Sequence, residues 1–256
     1  MSAQQFRPSC EEHCAAGAVQ SEREIAQSPA MPNKRIAVMQ PYFFPYAGYF
    51  RLFHLVDEFV IFDCVQFPRR GRVHRTQVPG PRGKLEWLTL PLAHHRRDVL
   101  IRDLAFASDA RARFDERLAR FAWIHTSVGP AANRIRDHLF SPFESVIDYL
   151  EGGLRLVTDI LELPVRISRS SALGLDPSLR GQARVIAAAK SVGATCYLNS
   201  PGGRALYDAG SFGSAGIELC FLSPYHGSFF HLLLSLMKEN PKDISQEIRE
   251  TSSLER

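Results

Sequence analysis

The sequence predicts an α/β fold with a Rossmann-like, mainly parallel sheet and a helical insert or lobe in the middle of the chain. Short apolar runs alternate with segments of helical periodicity on both sides of that lobe. Residues 109–162 between them carry helical patterns alone. Several apolar runs end in loops that contain proline or glycine, as buried strands do when they leave a sheet.

The first ordered segment predicts a βαβ unit. An apolar strand at residues 36–39 is followed by a helix at 46–56 and a second strand at 59–62. Two strands joined by a helix in this way should be parallel, with a right-handed crossover. Further strands are predicted at residues 86–90 and 99–104, and helices of the lobe at 109–122, 131–140 and 142–161.

Alternation returns after the lobe. The pattern predicts strands at residues 166–168, 195–198 and 218–222, and helices at 179–192, 207–216 and 228–238. The tail from residue 244 is expected to begin as a helix and to fray.

The domain organisation follows from the same pattern. Residues 1–33 are rich in Gln, Ser, Glu and Ala without sustained apolar periodicity, which predicts a disordered extension, and residues 34–256 are interpreted as one domain. No apolar run approaches the roughly 20 residues of a membrane span, and no signal peptide is evident, so we expect a cytoplasmic protein.

Cysteine usage argues against a disulfide framework and against a metal. The five cysteines are odd in number, and no pair in the globular part has metal-ligand spacing. Cys10 and Cys14 bracket His13, but no second ligand pair follows nearby. We therefore expect no metal site.

The formal charge of +4 is unevenly distributed, because arginines, a histidine and a lysine cluster within residues 69–84. Such a cluster suits phosphates or a nucleic-acid backbone. A solvated basic loop is the alternative interpretation.

Three loops that follow predicted strands carry the candidate site residues, because ligands bind at the carboxyl ends of parallel strands. The loop after the first strand contributes Gln40, Tyr46 and Tyr49 as substrate-binding candidates, whereas Phe43, Phe44 and Phe50 are expected in the core. The loop after the second strand contributes Asp63, His74 and Arg75 as catalytic candidates, with Gln66 and Arg72 as substrate contacts.

The third loop follows the predicted strand at residues 195–198. Asn199 and Ser200 enter a Pro-Gly-Gly turn, where Gly202 and Gly203 offer backbone amides. Small donors of this kind suit an oxyanion or a phosphate, although Pro-Gly-Gly also marks ordinary turns.

The residues at 39–50, at 62–66 and at 71–76 together resemble the WbqC-like family, as do Trp87 to Pro91 and Gly193 to Asp208. The resemblance covers nearly everything after the first 33 residues and implies proteins of O-antigen and natural-product gene clusters. It further implies a glycine or other acyl transfer to an amino sugar. Cys64 departs from the usual pattern, because a second aspartate often follows Asp63 in the family.

The leading hypothesis is an enzyme, an acyl or aminoacyl (glycine) transferase that joins an activated acyl donor to an amine of an amino sugar or small metabolite. Asp63 or His74 would deprotonate the amine and Arg75 would hold the donor. Asn199, Ser200 and the amides of Gly202 and Gly203 would stabilise the oxyanion. ATP, an aminoacyl donor and tRNA all stay open as cofactor or partner.

Two alternatives remain. The layout is also similar to nucleotidylyltransferase-type Rossmann units that make adenylates, although Tyr46 and Tyr49 stand where paired histidines flank the glycine in those enzymes. An adenylate-forming, ATP-dependent ligase is therefore one alternative. The other is a non-catalytic nucleic-acid or pathway-scaffold protein that uses the basic patch at residues 69–84.

Overall fold

The computed structural model describes residues 33–255, so the predicted disordered extension, apart from Asn33, lies outside the described residues. Six strands form one sheet in the order β5-β2-β1-β6-β7-β8, and β3 and β4 form a separate antiparallel hairpin. The strands are β1 (Arg35–Met39), β2 (Glu58–Ile61), β3 (Arg75–Pro79), β4 (Leu85–Thr89), β5 (Arg166–Arg169), β6 (Cys196–Asn199), β7 (Glu218–Leu222) and β8 (Leu254–Glu255). Only β8 runs antiparallel within the sheet, which confirms the predicted Rossmann-like α/β fold.

The predicted βαβ unit is present. Helix α1 (Ala47–Leu55) connects β1 to β2, and the two strands pair in parallel with Ile36 opposite Glu58. On its other side β1 pairs with β6, with Ile36 opposite Tyr197. The strand order therefore reverses beside β1, which in open α/β sheets is where a crevice for ligands forms at the carboxyl ends of the strands.

The chain between β4 and β5 forms four consecutive helices, in agreement with the predicted lobe. They are α2 (Ala110–Ala119), α3 (Ala122–Thr126), α4 (Pro130–Leu139) and α5 (Val146–Ile160). The predicted helix at 109–122 breaks at Phe121, which is buried and is the N-cap residue of α3. Helix α5 begins after Ser145, whose hydroxyl accepts a hydrogen bond from the Asp148 amide at 3.4 Å. A serine cap therefore starts this helix, not Pro142.

One strand prediction was wrong, and one strand was not predicted. Residues 99–104 contain a short 3₁₀ turn, Ile101–Asp103, and pair only through a single bridge between Leu100 and Gln66. Strand β3 begins within the predicted loop of residues 63–76. It pairs with β4 in the hairpin, with Thr76 opposite Leu88.

The C-terminal tail does not fray as expected. Helices α8 (Leu232–Lys238) and α9 (Pro241–Glu250) precede β8, which adds to the sheet beside β7. The Ser223 amide donates to the Ser253 carbonyl at 2.9 Å, so the edge of the sheet holds the tail. Strand β8 has only two residues, which is too short for a periodic pattern to predict it.

The sheet is buried on both faces, as a parallel sheet requires. Ile36 and Val38 pack with helices α6 (Gly181–Ser191) and α7 (Ala209–Ser214) on one face. On the opposite face Phe53 of α1 stacks on Phe59 of β2 with ring centroids 3.9 Å apart. This larger core also takes in the helical lobe and helices α8 and α9. Among the residues described, no helix has both the length and the apolar character that a bilayer span requires.

His138 gives the core a pH-sensitive element. Its ring in α4 stacks on Tyr149 with centroids 4.4 Å apart, and its Nε2 atom is buried without a partner among residues 33–255. Burial lowers the His138 pKa from 6.5 to about 4. Below pH 6.5 the unfolded chain binds a proton at His138, whereas the folded chain does not until the pH approaches 4. The contribution of the neutral ring to stability is therefore full above pH 6.5 and is lost as the pH falls towards 4.

We expect His138→Leu to reduce the acid sensitivity of the protein. Between pH 7 and pH 4, the variant should lose about 2 kcal/mol less unfolding free energy than the wild type. Urea unfolding at a series of pH values measures this. His226→Leu, at an exposed position, serves as the control. Parallel pH curves for the wild type and His138→Leu would contradict the assignment.

Candidate functional site

The loops that follow β1 and β2 lie against each other, as predicted. The Phe43 amide donates to the Arg72 carbonyl at 3.1 Å, and the Thr76 hydroxyl donates to the Phe44 carbonyl at 2.8 Å. Phe44 is held at a positive φ of 42°, a conformation that few residues other than glycine adopt. These contacts fix the loop of residues 63–76 on the aromatic loop of residues 40–46.

A cleft of about 450 Å³, which we name the His74 cleft, opens beside this pair of loops. Its walls come from the basic loop, from the chain that leaves β4, and from α2. Its described lining holds no acidic residue and is strongly cationic. The lining residues are Phe67, Arg69, His74, Thr89, Leu90, Pro91, Leu92, Ala93, His94, His95, Arg113 and Arg117. Such a lining suits an anionic ligand.

His74 is a half-buried titratable group of this cleft. The edge of its ring meets Phe67 with centroids 5.1 Å apart, and its Nδ1 atom is buried with no hydrogen-bond partner in the described part of the chain. Burial, and then the charges of Arg75, His95 and Arg117, lower the His74 pKa from 6.5 to about 4. The imidazole is therefore neutral near pH 7 and can accept a proton.

The second cleft, which we name the Ser171 cleft, occupies about 630 Å³ at the carboxyl ends of β2 and β5. Ser170 and Ser171 follow β5, and Arg180 and Gly181 stand at the start of α6. Arg184 is 8% exposed and donates through Nη1 to the Cys64 carbonyl at 2.5 Å. Its Nε atom finds no partner within residues 33–255. Asp98 also lines the cleft, but the hydroxyls, the guanidinium groups and the helix N-terminus together favour an anion such as a phosphate.

The linings of the two clefts include neighbouring residues of one segment. Gln66 forms the bridge with Leu100, and its side-chain amide donates to the Arg97 carbonyl at 2.8 Å. Gln66 and Leu100 line the Ser171 cleft, whereas Phe67 lines the His74 cleft.

Asp63 lies in a hydrogen-bond network and is 1% exposed. Its carboxylate accepts from the Ser170 hydroxyl at 2.8 Å, the Ser171 amide at 2.9 Å and the Ser171 hydroxyl at 2.5 Å. Cys64, beside it, places its Sγ atom 3.0 Å from the Ser170 hydroxyl. With its lone pairs used in this way, Asp63 fixes the loop after β5, and His74 is the better placed proton acceptor.

Arg75 and Arg72 both lie on the half-exposed ring of Trp87, with guanidinium carbons 4.3 and 5.5 Å from the ring centroid. The Arg75 guanidinium also donates to the Gly71 carbonyl at 3.0 Å and to the Arg70 carbonyl at 2.6 Å. This geometry favours a role for Arg75 in holding the basic loop in shape. Arg72 is exposed and keeps its charge at the surface.

Of the predicted substrate contacts in the aromatic loop, Tyr49 lies in the core, whereas Gln40 and Tyr46 are half-buried. Tyr49 is 4% exposed, and its hydroxyl donates to the Gln40 carbonyl at 2.6 Å, so it packs in the core. Gln40 is half-buried at the end of β1. Tyr46 is also half-buried and packs on Tyr225 and Phe230, with centroids 5.4 and 6.1 Å away.

Gly48 is required by this aromatic cluster. A Cβ atom at position 48 would stand 2.3 Å from the Tyr46 ring and 2.7 Å from the Tyr225 ring. Tyr225 cannot easily turn away, because its hydroxyl is hydrogen-bonded to Glu247.

We expect Gly48→Ala to lower the unfolding free energy by about 1–3 kcal/mol. Thermal unfolding measures this, with the unobstructed Gly213→Ala in α7 as the control. Equal melting temperatures for the two variants would contradict the packing argument.

The turn after β6 lies outside the described lining of both clefts. Asn199 is 4% exposed, and its side-chain oxygen accepts from the Ser200 amide at 2.7 Å. The Gly203 amide donates to the Ser200 carbonyl at 3.0 Å, and a Cβ atom there would stand 2.3 Å from the Asn199 side chain. The turn is closed on itself, and Gly202 alone is exposed at its tip.

Sequence reasoning missed much of both linings. Ser170, Ser171 and Arg184 were not singled out, although the rule that points to carboxyl ends of strands applies equally to β5. Arg113 and Arg117 were missed because their place depends on how α2 packs beside β4. No local pattern signals that placement.

Comparisons with known proteins identify a family for this chain. The model of the WbqC-like protein family matches residues 40–231, which is most of the chain. The chain is also 37% identical over 59 residues to the uncharacterized protein Rv1507c of Mycobacterium tuberculosis, a match that covers 23% of this chain and 25% of that relative. No solved structure matches. Since the family model matches most of the chain, including the basic loop, the chain that leaves β4 and helix α2 around the His74 cleft, the chain belongs to the WbqC-like protein family.

Proposed function

We propose that this protein is a transferase that forms an amide between an activated acyl or aminoacyl group and an amine of an amino sugar or small metabolite. One observation carries the proposal: a half-buried imidazole, neutral at physiological pH, lies in a cleft whose described lining is cationic. Amide formation requires both a base for the amine and positive charge for an anionic donor.

In the proposed reaction, the amine nitrogen attacks the acyl carbon, and a C–N bond forms as the bond to the donor's leaving group breaks. His74 accepts the proton that the amine loses and passes it to the leaving group or to water. Arg69, Arg113 and Arg117 hold the donor's anionic group. That bound anion offsets the charges that lower the His74 pKa, so the base becomes stronger once the donor is present.

The surface beside the cleft suits a large anionic carrier. Arg69, Arg70, Arg72 and Arg82 are exposed on the basic loop and the adjoining hairpin turn. A donor carried on tRNA would place phosphates on this surface, and its binding should weaken steeply with salt. A small donor held in the cleft would leave Arg70, Arg72 and Arg82 without effect.

A product assay tests the proposal. The full chain is incubated with an amino sugar and, in separate reactions, an aminoacyl adenylate or aminoacyl-tRNA, and the N-acylated sugar is detected by mass. We expect product with one donor class, and a raised KM in the Arg117→Gln variant. Arg120→Gln, at the residue that follows α2 and outside the described lining of the cleft, is the matched control. Product formation at the uncatalysed rate with every donor would overturn the proposal.

The Ser171 cleft favours a second candidate, an adenylate-forming ligase that uses ATP. Arg180, Arg184 and the start of α6 could hold phosphates at the carboxyl edge of the sheet, where nucleotides bind in many such folds. Release of pyrophosphate from ATP, dependent on the acyl substrate and lost in Arg180→Gln, would favour this ligase. Product without ATP would favour plain transfer.

A further inference from the structure

Two thiols and a carboxylate meet on neighbouring strands, away from both clefts. Cys196 begins β6, and Glu218 and Cys220 lie on β7. The parallel register places Cys196 opposite Glu218 and Leu198 opposite Cys220, so all three side chains project from the same face of the sheet. The two Sγ atoms are 3.6 Å apart, and the three candidate ligand atoms lie within 4.8 Å of one another.

These distances match a tetrahedral metal site. With Zn–S bonds of about 2.3 Å and a tetrahedral angle, two thiolates on one zinc ion are about 3.8 Å apart. A carboxylate oxygen bonded at about 2.1 Å would lie about 3.6 Å from each sulfur. The observed separation of the sulfurs is close to the first value and far beyond the roughly 2.05 Å of a disulfide.

Charge and access also suit a cation. Cys196 is 3% exposed and Cys220 is half-buried, whereas Glu218 is exposed and leaves one side open to solvent. Two thiolates and a carboxylate carry three negative charges, which a divalent ion reduces to one. Arg35, opposite Cys196 in β1, is the neighbouring positive charge that balances the remainder. Burial raises the pKa of Cys196 to about 12, so binding of the ion must displace its proton.

We propose that Cys196, Glu218 and Cys220 bind a divalent thiophilic cation of the zinc class, with a water molecule in the fourth position. The site lies where β6 begins, at the amino-terminal side of the sheet, opposite the strand ends whose loops form the clefts. The ion would join β6 to β7 and stabilise the part of the sheet beside β1 where the strand order reverses.

A spectroscopic titration tests this site. The reduced, metal-free full chain is titrated with Cd²⁺ and with Co²⁺, which report sulfur ligands through charge-transfer absorption. We expect saturation at one equivalent, with the intensity of two thiolates, and a rise in melting temperature. Loss of the absorption is expected in Cys220→Ser, and Glu218→Gln should weaken binding at least about tenfold.

Two further variants keep the test decisive. Cys196 is buried and its replacement can unfold the chain, so the half-buried Cys220 is the informative thiol, and circular dichroism checks that its variant is folded. The double variant Cys10→Ser and Cys14→Ser should bind Cd²⁺ as the wild type does. Absence of a stoichiometric absorption in the wild type, or its loss in that double variant, would overturn the proposal.

Discussion

His74→Gln should lower the rate of amide formation by about 10² to 10⁴-fold, because glutamine cannot accept the proton that the amine loses. The free energy of unfolding at pH 7 should change little, since His74 Nδ1 makes no hydrogen bond within the described chain. The loss should therefore appear in kcat while the fold remains intact. Steady-state kinetics and thermal unfolding of the same preparation measure both quantities.

The matched control for this prediction is His226→Gln at an exposed position. It makes the same chemical change outside the described lining of both clefts. Equal rates for the two variants would remove His74 from the mechanism. If His74→Gln instead unfolds at the assay temperature, the lost rate would be due to a structural role of His74.

Asp63→Ala should be the most destabilising of the variants considered, with a loss of about 3 kcal/mol in unfolding free energy. The substitution leaves the Ser170 hydroxyl and both donors of Ser171 without their acceptor in a buried setting. The loop after β5 would then lose its anchor on β2. Denaturant unfolding at pH 7 measures the effect.

Asp98→Ala serves as the control, since 70% of its side chain is exposed and it pairs only with Arg96, which is more exposed still. Its effect should be within about 0.5 kcal/mol of zero. A stable Asp63→Ala variant that lacks turnover would return Asp63 to the role of catalytic base and would contradict the structural role argued here.

The fold was predictable because apolar periodicity reports burial directly. Strands β1 and β2 and helix α1 were expected from the spacing of a few apolar residues, and the parallel pairing followed from the helix between them. The β3–β4 hairpin was not expected, because Arg75 and Gln77 on β3 face away from the core and break the apolar pattern. Packing of Val78 and Leu88, both fully buried, supplies what the pattern lacked.

The site was only partly predictable. The rule that ligands bind at the carboxyl ends of strands located the loop that carries both His74 and Asp63. The contacts of Phe43 and Phe44 confirm that this loop lies against the loop after β1. Which of His74 and Asp63 is left to accept a proton depends on partners far away in sequence. Asp63 is satisfied by serines that follow β5, over a hundred residues later. The thiol pair of β6 and β7 was missed for the same reason, because strand register and not sequence spacing joins Cys196 to Cys220.

The most direct test of the central claim is an NMR titration of the His74 ring, assigned by its absence in His74→Gln. We predict a His74 pKa of about 4 in the protein alone, and a clear rise when an anionic donor analogue fills the cleft. A pKa near the ordinary 6.5 that the analogue does not change would show that His74 is neither buried nor coupled to a bound anion, and would contradict the account.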